Sequence, residues 1–483
     1  MNPFETEKSM LTRRAFLARS GVSLGAMALA DLAGAEGAAS GLGIGDGRAS
    51  GPHHKPRARS VIYLHMSGSP PQLDMFDPKP RLRELHGTLC PKSFIEGKRL
   101  AFIKGHPTLL GSPYSFGRYG KSETEVSELV PHMGQVMDKA TLIRSMYTDQ
   151  FNHGPAELRL FTGDQDVGAA AMGSWASWGL GTENRNLPSF VVLTSGGTDP
   201  SAGKSVWGSG FLPSAHQGVR LRGSGDPILY VTDPKGMDRE LRRRTLDSLA
   251  ALNERRFEQQ GDPETEARIS QYELAFRMQA SVPELMDIGR ESEDVHELYG
   301  SQPGQASFAN NCLLARRLVE SGVRWVQLYD WGWDTHGTGS GDDLLTALPK
   351  KCGETDQAVA ALIQDLDRRG LLDETLVVWG GEFGRTSMNE ARGGSTYWGR
   401  DHHPGCFSLW MAGAGIHRGR IVGRTDELGY EIEEGAISVN DLQDTIMYLM
   451  GVDTQQLRYP YQGLDRRLIG VADHSTVQHH LFS

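Results

Sequence analysis

Four cysteines in 483 residues, Cys90, Cys312, Cys352 and Cys406, are too few for a disulfide framework, and no two of them form a C-x-x-C pair. They leave room for buried free thiols or, in an oxidising compartment, for one or two bridges. The chain also lacks a basic excess, since 50 Lys and Arg against 60 Asp and Glu give a net charge of −10. That sign excludes a nucleic-acid binder, whose affinity rests on clustered cations. No segment beyond the N-terminal region is apolar over the roughly 20 residues that a membrane helix needs. Internal repeats are absent. Two familiar site patterns are incomplete. Gly203-Lys204-Ser205 ends like a phosphate-binding loop, but Thr198 stands where its first glycine should be. His296-Glu297 lacks the second histidine of a zinc-protease helix.

What is present begins with an address. Arg13-Arg14 followed by Ala15-Phe16-Leu17 matches the twin-arginine export pattern. The apolar stretch behind it, Gly21 to Ala30, is too short and too rich in Gly and Ala to hold a bilayer. Ala33-Gly34-Ala35 supplies a small-residue cleavage site. Residues 1–35 therefore read as a signal peptide and 36–58, rich in Gly, Ser, Ala and basic residues, as a linker. The expected destination is the periplasm or the extracellular space. Because that route carries folded proteins, often after a cofactor has been inserted, it hints at a metal.

The mature chain reads as an α/β fold with a mostly parallel sheet. Short apolar runs bounded by turn residues predict buried strands over Val61–Met66, Thr141–Met146, Ser189–Leu193, Val323–Tyr329, Thr375–Gly380 and Phe407–Met411. Helical periodicity predicts helices over Glu240–Gln260, Glu264–Ala280, Ala306–Ser321, Leu344–Arg369 and Asn440–Met450. Strands alternating with helices argue for a doubly wound domain, here residues 59–475, with a loop-rich and helical insertion at about 195–302. The 59 glycines fit many loops around such a core.

An open α/β sheet places its ligands at the carboxyl ends of its strands. Asp334 and His336 follow one predicted strand, Glu382 follows another, and His402 and His403 lead into a third. Their convergence on one pocket would make a mixed carboxylate and imidazole shell. Such a shell suits Zn, Mn or Fe better than an all-oxygen Ca cage.

The strings YLHMSGSPPQLDMFDPKP, FNHGPAELRLFTG, MGSWASWGLG, DTHG, GGEFGRT and GRDHHPGCFSLWMAG resemble the exported bacterial family DUF1501, from about Ser60 to Gly451. That family is similar to the sulfatases and alkaline phosphatases, which implies a three-layer α/β/α core of the alkaline-phosphatase kind. The resemblance carries over position by position. In TLVVWGGEFGRT, Glu382 keeps the carboxylate of an Asp-His metal pair, and Phe383 replaces the imidazole. In NHGPAELRLFTG, Pro155 and Thr162-Gly163 match the sulfatase Cys-x-Pro-Ser-Arg to Thr-Gly spacing, so His153 stands at the nucleophile position. An Asp pair implied at the end of the first strand falls near Ser67-Gly68, with Asp74 the nearest substitute. Arg385, after the same strand as Glu382, is a candidate to hold ester oxygens beside His153. No cysteine is followed by x-Pro-Ser-Arg, so formylglycine chemistry is not expected.

Two functions follow as expectations. The first is a metal-dependent hydrolase of sulfate or phosphate esters, on small molecules or polysaccharide, with His153 and Arg385 catalytic and Asp74, Asp334, His336, Glu382, His402 and His403 binding the metal. The second is a non-catalytic relative that binds a glycan or a partner protein. Metal content separates them.

Overall fold

A computed structural model describes residues 51–98, 100–223, 238–260, 263–470 and 473–483. The expected export signal, and the expected linker as far as residue 50, lie outside the described residues.

All six expected strands form, and they build a nine-stranded sheet with three shorter ones. In chain order these are β1 (Ser60–Ser67), β2 (Ala140–Tyr147), β3 (Phe190–Ser195), β4 (Val219–Arg220), β5 (Trp325–Trp331) and β6 (Thr375–Gly380). A separate two-stranded hairpin follows, β7 (Gly384–Asn389) with β8 (Arg400–His403). The sheet then resumes with β9 (Phe407–Ala412), β10 (Arg420–Val422) and β11 (Ile437–Ser438). The strand order is β10-β2-β9-β6-β1-β5-β3-β4, with β11 also on β2. Every pairing is parallel except those of β9, which runs against β2 and β6.

β1 shows why the sheet is parallel and central. All eight of its residues are buried, which demands cover on both faces. Ile62, Leu64 and Met66 enter one core with α1 (Pro131–Val136), α7 (Phe308–Glu320) and α8 (Ala347–Arg368). Val61 and Tyr63 enter the other with α2 (His153–Thr162), α3 (Met172–Leu180) and α9 (Val439–Leu449). Helices thus cover both faces, and the period of two along β1 assigns each side chain to its core. Each fully buried aliphatic side chain contributes about 1.5–3 kcal/mol. Truncating Leu64 to Ala would cost about 2–5 kcal/mol, the lost burial plus the cavity left in a fully buried cluster.

The expected helices also form, as α4 (Arg239–Gln260), α5 (Pro263–Met286), α7, α8 and α9, while α6 (Glu293–Tyr299) is short. α9 opens on a capping box: Asp441 N–H donates to Ser438 Oγ at 3.1 Å, and Ser438 N–H donates to Asp441 Oδ2 at 2.9 Å. Sequence periodicity did not reveal α2, α3 or the β7–β8 hairpin. In β7 the buried residues include Arg385, Thr386 and Ser387, so the strand carries no apolar alternation. Its hydroxyls are satisfied by backbone carbonyls, with Ser387 Oγ donating to Leu428 O at 2.5 Å and Thr386 Oγ1 to Met388 O at 3.2 Å. All four cysteines are buried free thiols. Among the described residues no helix is long and apolar enough to cross a membrane.

Candidate metal centre

Parallel registry brings the carboxyl ends of β1, β5 and β6 side by side, since His65 pairs with Tyr329 on one flank and Gly380 on the other. The loop after β5 folds back over the end of β1. There Trp333 N–H donates to Ser67 O at 3.3 Å, and the Asp334 backbone rests on Gly68. A Cβ at Gly68 would stand 2.6 Å from Asp334 N, and Gly68 has φ +103, so only glycine fits both demands. Glu382 follows β6, and Gly68 N–H donates to its Oε1 at 3.1 Å. His153 opens α2, and His402 sits on β8 in register with Arg385.

These elements aim three imidazoles at one carboxylate oxygen. Asp334 Oδ1 lies 2.9 Å from His336 Nε2, 3.3 Å from His153 Nε2 and 3.4 Å from His402 Nε2. The ligand atoms of these four residues all lie within 4.8 Å of one another. Donor atoms about 2.0–2.1 Å from a tetrahedral zinc stand about 3.3–3.4 Å apart, close to the spacing seen.

The opposite ring nitrogens define the tautomers. His402 Nδ1 is 2.7 Å from the Phe151 carbonyl, to which it donates. His153 Nδ1 faces Glu382 Oε1, and His336 Nδ1 faces Glu390 Oε2. Each imidazole therefore holds a proton at Nδ1 and, when neutral, turns a lone pair at Nε2 toward Asp334. Lone pairs facing a carboxylate repel unless a cation or extra protons lie between them. His153 Nε2 is buried and has no hydrogen-bond partner. Metal-binding histidines are oriented in this way, through the second nitrogen. The residues present fit a divalent cation held by His153, Asp334, His336 and His402.

Electrostatics separates the three rings. For His153, burial opposes the charge but is outweighed by the Asp334 and Glu382 carboxylates, and its pKa is raised to about 9. His336 is also raised, with burial outweighed by Asp334 and Glu390. His402 is lowered to about 3, because burial dominates and Arg385 and His153 oppose a further charge, together outweighing Asp334. At neutral pH it is thus a neutral ligand. Asp334 stays ionised: burial acts against it, but Arg385 and the three imidazoles prevail.

Other expected site residues have different surroundings. Arg385 is fully buried, with its donors committed to Ser69 O at 3.1 Å, Arg400 O at 3.2 Å, Gly68 O, and Asp334 Oδ1 at 2.5 Å. It clamps Asp334 and has no donor directed at a substrate. The structure does not bring His403 to the cluster. Neighbouring residues of a strand point to opposite sides, so β8 turns His403 away from His402. There it donates from Nε2 to Tyr430 O at 2.7 Å and stacks on that ring. Asp74 is likewise elsewhere, with both oxygens on Arg400 at 2.7 and 3.1 Å. Phe383 fills the imidazole position implied by the resemblance and packs its ring against His153 and His402. Sequence reasoning missed Glu390, which holds His336, and Phe102, which covers His336 and His402 edge-on beneath Arg392. Neither lies in a motif, and only the hairpin and a loop over 200 residues earlier in the chain bring them in.

A family model described as a protein of unknown function, DUF1501, matches residues 58–481. The chain belongs to the DUF1501 family. Among solved structures, this DUF1501 chain is similar to the PsFucS1 sulfatase from Pseudoalteromonas sp. (12% identity, 82% of this chain and 68% of that one, TM-score 0.35). It is also similar to an alkaline phosphatase superfamily protein from Vibrio parahaemolyticus (10% identity, 85% and 70%, TM-score 0.36). A third is the phosphonate monoester hydrolase SpPMH from Silicibacter pomeroyi (14% identity, 67% and 68%, TM-score 0.29). No curated protein matches the sequence.

Proposed function

We propose that this DUF1501 chain is an exported, metal-dependent hydrolase of sulfate or phosphate esters, of small molecules or polysaccharide, built on a three-layer α/β/α core of the alkaline-phosphatase kind. The observation that carries this reading is the aim of three Nε2 atoms at one Asp334 oxygen, each ring fixed through its other nitrogen. A divalent cation bound there supplies Lewis-acid stabilisation of charge developing on the ester oxygens.

The chain's own groups supply the rest. At the start of α2, where Pro155 carries no N–H, the N–H groups of His153 and Gly154 have no intrahelical partner and Gly154 faces open space, so an anionic ester group can approach the positive end of the helix. Arg392, half-exposed beside Glu390 and over Phe102, adds a cation at the mouth. Arg385 positions Asp334. His153 is the most exposed of the three rings, at 13%, so an ester that reaches the centre meets the cation on the side of that ring. No cysteine takes part, since all four are buried thiols.

The test is elemental analysis of the exported protein, with turnover of 4-nitrophenyl sulfate, 4-nitrophenyl phosphate and sulfated oligosaccharides. His153→Ala should lower any such turnover by at least about 10²-fold while leaving urea stability nearly unchanged. A folded, metal-free protein that cleaves none of these esters would return the reading to a glycan- or protein-binding relative. Replacing Arg13 and Arg14 by Lys should trap the precursor in the cytoplasm, and normal export of that variant would defeat the localisation.

A further inference from the structure

Behind the open centre lies a second cluster, joined to it through Glu382, whose other oxygen orients His153. His65 on β1, Glu157 on α2 and Glu382 after β6 are all fully buried. Glu157 stands four residues after His153, on the same face of α2. Phe161 and Tyr329 wall the group, with ring centroids 4.9 and 5.5 Å from that of His65. Among the described residues no Lys or Arg pairs with either carboxylate, so two fully buried acidic groups face His65, and only the far oxygen of Glu382 meets a second imidazole, that of His153.

Each carboxylate divides its oxygens between two tasks. Glu157 Oε2 accepts from Ala202 N–H at 2.7 Å, and Glu382 Oε1 accepts from Gly68 N–H and His153 Nδ1. The remaining oxygens, Glu157 Oε1 and Glu382 Oε2, have no hydrogen-bond partner, and neither ring nitrogen of His65 has one. They nevertheless converge: His65 Nε2 is 3.4 Å from Glu382 Oε2 and 3.7 Å from Glu157 Oε1, and the three ligand atoms lie within 4.8 Å of one another. Buried carboxylate oxygens left unpaired are costly, because nothing replaces the water they gave up. Spacings this long are poor hydrogen bonds, yet they are close to the distances between ligands that share one ion.

We infer that His65, Glu157 and Glu382 hold a second divalent cation, buried and separate from the centre at Asp334. Two carboxylates and a divalent ion balance to zero charge, which removes the cost of burying them. One imidazole with two carboxylates suits Zn2+ or Mn2+ and offers too few oxygens for Ca2+. The site is closed, so its role is structural. Through the two oxygens of Glu382 it holds the carboxylate that orients His153, and thereby ties the core to the open centre.

The experiment is metal counting on the full exported chain, untagged, stripped with chelator, reloaded with Zn2+ and desalted. The parent should carry two equivalents, Glu157→Gln one, His402→Ala one, and the double variant none. A Glu157→Gln protein that keeps the parent's complement overturns the site. Should Glu157→Gln fail to fold, as read by near-ultraviolet dichroism, His402→Ala decides. With the open centre dismantled it should retain one equivalent and gain about 5 °C or more in Tm on adding Zn2+. No retained metal and no shift would overturn the inference. The two readings fail separately: a His402→Ala protein that retains one equivalent while the parent cleaves no ester keeps this site and defeats the hydrolase reading, and a parent that cleaves esters with one equivalent does the reverse.

Discussion

Asp74 and Asp334 follow neighbouring strands of one sheet, and each meets an arginine of the β7–β8 hairpin, yet their surroundings differ in kind. Asp74 is fully buried, its two oxygens are gripped by Arg400, and Arg400 spends its remaining donors on Leu110 O and Thr386 O. Every charge and donor there is answered. Asp334 has Arg385 too, but three imidazole nitrogens crowd the same oxygen, and its side chain is 28% exposed. That arrangement is over-supplied with lone pairs and open to solvent. A balanced buried pair builds structure, whereas an unbalanced one marks a place for a ligand.

The sharpest way to break this contrast is to unbalance the balanced pair. Asp74→Ala leaves Arg400 buried without its counter-charge and should lower stability by about 3–5 kcal/mol in urea unfolding, with metal content unchanged. Loss of metal instead would put Asp74 inside the centre. The converse is His402→Ala, which should leave metal-free stability within about 1 kcal/mol and lower kcat/KM at least about 10²-fold, with loss of the open-centre ion. An intermediate effect is expected for Glu390→Gln, which keeps the shape but weakens the grip on His336 Nδ1. Metal affinity, read by chelator competition, should fall about 10–100-fold.

A half-buried imidazole without a carboxylate sharpens the comparison further. His216, beside Ser177 Oγ at 3.0 Å, is lowered by burial from 6.5 to about 4. Its folded pKa lies below its unfolded one, so the neutral ring stabilises the fold above pH 6.5, and that contribution is lost as pH falls through 4. Allowing for its partial exposure, unfolding between pH 7 and 4 should show about 1–2 kcal/mol of acid sensitivity that His216→Gln lacks. The smallest effect is expected for charges already in water. The Arg243–Glu273 pair between α4 and α5, each side chain about a third exposed, should contribute under about 1 kcal/mol in a double-mutant cycle. A larger coupling would mean that the helix pair is more than a solvated surface.

The same contrast explains what was legible in the residues. The main strands were readable because burial on both faces writes a continuous apolar run, as in Val61 to Met66. Asp334, His336, Glu382 and His402 were readable as strand-end groups because a parallel sheet gathers its loops at one edge. His403 looked identical to His402 in a list of residues, and only the pleat of β8 separated them. His65 was hidden inside an apolar strand and Glu157 inside a helix, where a polar residue gives no signal until its partners are known.

By itself the sequence determined an α/β chain with a mostly parallel sheet, its family, and a set of imidazoles and carboxylates at strand ends. Those properties are local, written in periodicity and spacing. Tertiary structure decided which groups face one another: Arg385 against Asp334, Arg400 against Asp74, Glu390 behind His336, and His65 between two glutamates. These pairs are separated by up to 326 positions along the chain. Ligand geometry depends on ångström-scale distances between such remote residues, and these exist only once the sheet registers and the hairpin have closed.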